Sequence, residues 1–288
     1  MIKVRNLGKD LGTFCLGDMN FELPAGYIMG LIGPNGSGKT TLLHLLMGLY
    51  TPNEGEVTIF DKQYQSDEHA IHEELGVVLQ ERLFEDYRTL EENAAYYGKY
   101  YANYDGEVME TYLKRFELDS KRKYKGLSKG EELKFQFAFA LAHKPKLLLL
   151  DEPTGNFDPE FREDFLKELK EFIADGEHSI ILATHLTEDL DQIADYILYL
   201  EKGKQLLAMD IETMHDTFRM IAGDEYRVRL FPADHVIHME KSAYGTKALV
   251  RHRRRFDYTG LTVTKPTVEE MMYFLTKRSS KVVLESML

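Results

Sequence analysis

An α/β fold built on a mainly parallel sheet is predicted by three observations. Short apolar runs, Tyr27 to Ile32, Leu75 to Leu79 and Lys146 to Leu150 among them, alternate with stretches of helical spacing. The first of these runs enters a glycine-rich octapeptide, Gly33 to Thr40, that opens onto a helix. After about residue 205 the pattern gives way to strand-like runs and one closing helix, which reads as a small α+β appendage.

Length supports the same division. At 288 residues the chain is long for one domain and short for two full ones. One large domain over 1–205, with a helical subdomain at about 81–143, and an accessory domain over 206–288 are therefore expected. Hydrophobic residues make up 43% and charged residues 29%, which excludes disordered and fibrous classes. The net charge of −12 repels a phosphate backbone at long range, so nucleic acid is not an expected partner. A single cysteine, Cys15, leaves no internal disulfide and agrees with a reducing compartment. The start, MIKVRNLGKD, lacks a signal-peptide core, and the longest apolar stretch, Phe135 to Leu150, is interrupted by His143, Lys144, Pro145 and Lys146. A soluble, cytoplasmic chain is expected, with any membrane-spanning part supplied by another chain.

In order, IKVRNL and MNFEL read as strands of a small antiparallel layer, with turn signals at Gly8, Gly12 and Pro24-Ala25-Gly26. Tyr27 to Ile32 is a buried strand, followed by the octapeptide and a helix from about Thr40. A turn at Pro52-Asn53 and Gly55 precedes the strand in EVTIF, and LGVVL is a further strand ending at Gln80. The tyrosine-rich segment Tyr96 to Tyr104 and the run VMETYLKRFEL have helical character; the tyrosines suit either half-burial against a core or an interface. The strand KLLLL, a polar helix from Pro159 to about Asp175 and the strand HSIILATH follow. Beyond Gly203, EYRVRLF alternates, further strand-like runs surround Gly245, and PTVEEMMYFLTK reads as a proline-initiated helix.

The chemistry lies in three stretches. GPNGSGKT matches G-x-x-x-x-G-K-[ST] through Gly33, Gly38, Lys39 and Thr40. Glycines let successive backbone N–H groups turn inward on phosphate oxygens, and the following helix adds its positive N-terminus. Lys39 would reach the β- and γ-phosphates and Thr40 would ligate Mg²⁺. In LLLLDE, Asp151 ends a buried strand where it would bind the metal, and Glu152 would polarise the attacking water. Taken alone, such a pair would equally be a helix cap or a solvated turn. Ser128 with Glu131 three residues on forms a capping-box pattern, and a helix start with serine and glycine is also an anion site.

Together these residues resemble the ATP-binding subunits of ABC transporters. GPNGSGKTT, VVLQ, LSKGE, LLLLDEP, TGNFDP and ATH occur in that family's order and spacing over about residues 1 to 205. The resemblance implies a P-loop NTPase of the ABC type that binds and hydrolyses ATP with Mg²⁺. Nucleotide-binding roles would fall to Gly33, Pro34, Asn35, Gly36, Ser37, Gly38, Lys39, Thr40 and Thr41. Gln80 would contact Mg²⁺ together with Thr40 and Asp151. Ser128 and Gly130 would touch a γ-phosphate held by an opposing subunit, Asp158 would lie in the loop joining the two sites, and His185 would contact the γ-phosphate. A histidine ending a strand is otherwise a satisfied core residue.

Partners implied are a separately encoded transmembrane permease and a second ATPase subunit, in a homodimer or heterodimer, peripheral on the inner face of the membrane. YYGKYYANYD followed by RFELDSKRKYKGLSKG is similar to bacterial exporter ATPases of the bacitracin-resistance and YtrB-like type, whose cargo includes antibiotics, peptides and lipid-like compounds. A soluble ABC ATPase with a non-transport or regulatory role is the competing expectation.

Three departures from the family pattern stand out. In LSKGE, the family's signature segment, Lys129 replaces a glycine and Glu131 a glutamine; positive φ at Lys129 would be strained, and Glu131 would bring negative charge towards phosphate. Asp10 stands where an adenine-stacking aromatic is usual, with Phe14 the nearest substitute, and Phe157 replaces a leucine. The basic patch Arg251 to Arg255 suits a solvated edge or ion pairs with the acidic body, and equally contact with lipid headgroups or an acidic partner loop.

Overall fold

The structure, a computed structural model, describes residues 1–243, 245–253 and 255–277. The chain opens with a hairpin of β1 (Ile2–Asp10) and β2 (Cys15–Leu23) turning at Gly12, whose φ is +80°. Gly8, expected at a turn, instead lies within β1. It faces Glu54 beyond a register shift, so the local kink is a bulge and not a chain reversal. Next come β3 (Ile28–Ile32), α1 (Lys39–Leu46), β4 (Glu54–Ile59), α2 (Tyr64–His72) and β5 (Leu75–Val78). Sequence periodicity gave no sign of α2, and its make-up explains why: it buries only Ile71 and breaks helical geometry at Asp67.

The expected helical segment consists of α3 (Leu90–Gly98), α4 (Gly106–Arg115) and α5 (Lys129–Ala142), with a 3₁₀ turn at Tyr124–Gly126. Its tyrosines are not all packed on the core. Tyr97, Tyr101 and Tyr104 pack on the core, whereas Tyr96 and Tyr100 are exposed. Then follow β6 (Leu147–Asp151), α6 (Pro159–Ile173), β7 (Ser179–Ala183), α7 (Thr187–Ile193), β8 (Tyr196–Glu201) and β9 (Lys204–Asp210).

Nine of these strands form one sheet in the order β4-β1-β2-β9-β8-β3-β7-β6-β5. Strands β8, β3, β7, β6 and β5 are parallel, β9 is antiparallel to β8, and a single parallel pair, Gly17 with Lys204, joins the antiparallel hairpin to the rest. Alternate residues of the central strands enter opposite cores. Ile28, Ile32, Leu148, Leu150, Ile180 and Leu182 meet α5, α6 and α7, while Met29, Leu31, Leu147, Leu149, Ile181 and Ala183 meet α1 and the hairpin. Burial on both faces is why these strands read as unbroken apolar runs.

The remaining chain forms α8 (Ile211–Thr217), β10 (Phe218–Gly223), α9 (Glu225–Arg229), β11 (Val236–Ser242), β12 (Gly245–Arg251), β13 (Thr262–Thr264) and α10 (Val268–Thr276). Its four strands pair as β11-β12-β10-β13. EYRVR is helix where alternation predicted a strand. In so short a run the two periods are hardly distinct, and the Glu225–Arg229 ion pair at 2.8 Å and burial of Val228 favour the helix. Pro266 lies just outside α10, whose cap is Thr267 in a capping box with Glu270. Of the basic patch, Arg251 is half-buried at the end of β12 and Arg253 and Arg255 are exposed, while Arg254 lies outside the described residues. The appendage is fastened to α7: the Val268 N–H donates to Asp191 at 2.8 Å, and Phe218, Met220 and Leu249 join the main core.

Helix α7 is itself tied to the end of β6. Fully buried Asp189 accepts from the Thr154 hydroxyl at 2.8 Å and pairs with Arg162 of α6 at 2.7 Å. Removing one partner of such a pair leaves the other charge uncompensated. Asp189→Ala is expected to cost roughly 3 kcal/mol of stability, read by urea unfolding; a loss within the noise of ordinary surface substitutions would contradict this assignment.

Candidate active site

The glycine-rich loop is shaped by sterics at both ends. A Cβ on Gly33 would collide with the Leu200 carbonyl oxygen and the Ser37 side chain, so only glycine lets β3 turn there. Gly38 has φ +109° and precedes the first residue of α1, placing the free N–H groups of that helix at the loop. The Gly203 N–H donates to the Ser37 carbonyl at 2.9 Å, holding the loop from the β8–β9 turn. Lys39, almost fully buried, donates to the Gly33 carbonyl at 2.8 Å and lies 3.9 Å from a Glu152 carboxylate oxygen.

Strand β6 brings two carboxylates to this loop. The Thr40 hydroxyl donates to Asp151 at 2.9 Å across 111 residues of sequence. Burial pushes the Asp151 carboxyl above the ordinary carboxylate range; the Thr40 hydrogen bond opposes that rise and the Glu152 charge adds to it. Glu152 has φ +50°, a left-handed conformation that costs a non-glycine residue roughly 1–2 kcal/mol. Its surroundings hold it there. Its N–H donates to the Ala183 carbonyl at 2.8 Å and its own carbonyl accepts from the Gln80 amide at 2.8 Å. Its side chain accepts from the His185 N–H at 3.1 Å and meets the His185 ring Nδ1 at 2.6 Å. Seven other described non-glycine residues also have positive φ; Glu152 is the one whose carboxylate lies against the buried Lys39.

A cleft of 490 Å³ joins these groups; its walls include Asn35 to Thr41, Gln80, Asp151 and Glu152. Gly33 and Pro34 shape the loop without lining the cleft. Phe14 also lines it, beside Gly38, whereas Asp10 accepts from the Gly12 N–H at 2.7 Å away from the cleft walls. Phe14 is thus the aromatic residue at the site. Glu81, which sequence reasoning passed over, lines the cleft next to Gln80. The Asp189 anchor was equally unmarked, because its partners Thr154 and Arg162 are remote in sequence.

Ser128, Gly130 and Asp158 are absent from the cleft walls. They gather separately: a Cβ on Gly130 would lie 2.7 Å from the Asn156 carbonyl oxygen, and Lys134 of α5 lies 4.0 Å from Asp158, the cap of α6. Lys129 opens α5 with an ordinary helical backbone, so the strain anticipated there does not arise. Glu131 turns back on its own helix start, accepting from the Ser128 N–H at 2.7 Å and pairing with Arg122. Its charge is thereby neutralised locally.

A family model for ABC transporters matches residues 16–155. The chain is 32% identical over 207 residues to the uncharacterized ABC transporter ATP-binding protein YdbJ of Bacillus subtilis, covering 71% of this chain and 67% of that protein. The chain belongs to the ABC transporter ATP-binding proteins. Nod factor export ATP-binding protein I of Rhizobium leguminosarum bv. viciae is 32% identical over 68% of this chain and 64% of its own length. The ABC transporter ATP-binding protein YtrB of Bacillus subtilis is 28% identical over 76% and 75%. The chain thus spans about two thirds of the length of its first relatives. A dimeric ATP-binding cassette solved in a post-hydrolysis state with ADP and Pi shares 26% identity and superposes with a TM-score of 0.65 over 73% of this chain and 98% of that one. An ATP-binding subunit of an ABC transporter, 23% identical, gives 0.70 over 75% and 92% and shares the fold. With that fold and family, the chain is an ABC ATPase. Among the described residues no helix is long and apolar enough to cross a membrane.

Keeping Asp151 ionised in a buried site works against folding. Asp151→Asn retains an acceptor for Thr40 and removes the charge, so it should raise Tm by about 2–4 °C at neutral pH. The gain should vanish as pH falls through the raised Asp151 pKa, where the native carboxyl is itself neutral. Scanning calorimetry at several pH values tests this, and an unchanged or lowered Tm at neutral pH would contradict it.

Proposed function

We propose that this chain is the ATP-hydrolysing subunit that powers a membrane exporter, working as two copies, or as one copy with a second ATPase subunit, against a separately encoded permease. The observation that carries the reading is the division of the site. Loop and carboxylates line one cleft and His185 borders it through Glu152, while Ser128, Gly130 and Asp158 are not among its walls. An opposing subunit supplies what each cleft lacks.

Within a cleft, Lys39 and the loop N–H groups from Asn35 to Thr41 hold the phosphates, and Phe14 meets the base. The Thr40 hydroxyl, the Asp151 carboxylate and the Gln80 side chain form an oxygen donor set that suits Mg²⁺. Bound there, Mg²⁺ would neutralise phosphate charge. Glu152, held by Lys39 and His185, would accept a proton from the attacking water, and His185, bound to Glu152 through Nδ1, would contact the γ-phosphate.

A 650 Å³ groove lined by Leu49, Leu83, Tyr96, Tyr100 and Tyr101 offers exposed apolar surface for an amphipathic helix of the permease. The name of the Nod factor export ATP-binding protein I supports the direction, export; an antibiotic, peptide or lipid-like cargo is part of the same proposal. The division into 1–205 and 206–288 belongs to the same proposal, with the large sheet running on through Asp210.

Glu152→Gln is expected to slow ATP turnover by roughly 10²-fold or more while leaving the Kd for ATP within about twofold. Parallel turnover and equilibrium-binding assays measure both. Undiminished turnover would remove Glu152 from its role.

A further inference from the structure

We infer that Lys129 and Gln136 of α5 are positioning residues for the metal-facing side chain of Gln80. Three consecutive residues of the segment after β5 are gripped by this one helix. The Gln136 carboxamide oxygen accepts from the Leu79 N–H at 2.8 Å, and its nitrogen donates to the Glu81 carbonyl at 3.0 Å. The Lys129 ammonium donates to the carbonyl of Gln80 itself. Glu132 lies between the two on the same helix face and binds both Lys129 and Arg82.

Burial makes this clamp stiff. Gln136 is 1% exposed and Glu132 3%, so neither can exchange its partners for water without leaving a buried polar group unmet. With the backbone held at Leu79, Gln80 and Glu81, the Gln80 side chain extends to the end of β6. Its amide nitrogen donates to the Asp151 carbonyl at 3.3 Å and the Glu152 carbonyl at 2.8 Å. The amide oxygen is left as the atom available to a cation beside Thr40 and Asp151.

Lys129, which replaces the signature glycine, therefore has a task within its own chain. Flanked by Ser128 and Gly130, it connects the helix start that would serve the opposing site to the Gln80 backbone of its own site. Residues that orient a metal ligand from behind typically change metal affinity by about 10- to 100-fold when lost. This inference rests on the proposed role of Gln80 as a metal ligand.

The test is the Mg²⁺ concentration needed for half-maximal tight ATP binding by the full chain, followed by calorimetry, with ATP binding in EDTA as reference. Lys129→Met and Gln136→Leu are each expected to raise the Mg²⁺ requirement roughly tenfold and to leave binding in EDTA unchanged. Lys129→Arg, which keeps a donor, should stay near wild type. Gln80→Ala should shift the requirement similarly, and adding Lys129→Met to it should shift it no further, because the lysine acts through Gln80. Lys129 is partly exposed, so its variant reports even if Gln136→Leu fails to fold. A wild-type Mg²⁺ requirement in Lys129→Met, or additivity in the double variant, would overturn the inference while leaving the ATPase reading intact. A wild-type chain that binds no ATP at any Mg²⁺ concentration would overturn both.

Discussion

The hydrogen bond between Thr40 and Asp151 is the contact on which the rest of the site depends. It closes the first turn of α1 onto the end of β6, and both partners sit where they do because the strands around them are buried on both faces. In a parallel sheet all the strand ends that matter point the same way. The loop follows β3, Gln80 follows β5, Asp151 ends β6 with Glu152 next, and His185 follows β7. Four loops converge at the carboxyl edge of one sheet, the usual place for ligands in open α/β folds. Charge is gathered there against the preference of the core. Burial raises the Asp151 carboxyl above its ordinary range, and Glu152 is held in a left-handed conformation by Gln80, Ala183 and His185.

Most of this edge was legible in the sequence, for a physical reason. A strand buried on both faces is apolar along nearly all its length, so IMGLI, LLLLD and SIILA stand out wherever they occur. The residues immediately after them are then candidates by position. What stayed hidden involves short or mixed segments and tertiary partners. EYRVR is too short for its period to choose between helix and strand, and α2 has one buried side chain. Gln136 lies within FQFAFALA, where a lone amide looks like a tolerated core polar group until its two backbone partners on the segment after β5 are seen.

The altered signature becomes intelligible in the same terms. Glu131 is absorbed by its capping box and Arg122, and Lys129 is absorbed by the Gln80 carbonyl and Glu132, so neither substitution leaves a free charge at the start of α5. Ser128 and Gly130 keep their place at a helix N-terminus, with the Asp158 loop alongside. Such a surface suits a γ-phosphate presented by another subunit. The appendage, fastened through Val268 to Asp191, reaches the same α7 that anchors the turn after β6.

The account stands or falls on two clefts being completed across an interface. The measurement that addresses this most directly is the solution molar mass of the Glu152→Gln chain, by light scattering, with and without ATP and Mg²⁺. A doubling of mass that requires nucleotide is expected for two copies closing on two ATPs. A monomer at saturating ATP and Mg²⁺, with nucleotide demonstrably bound, would contradict completion by a second copy and leave a different ATPase subunit as the only source of the missing groups.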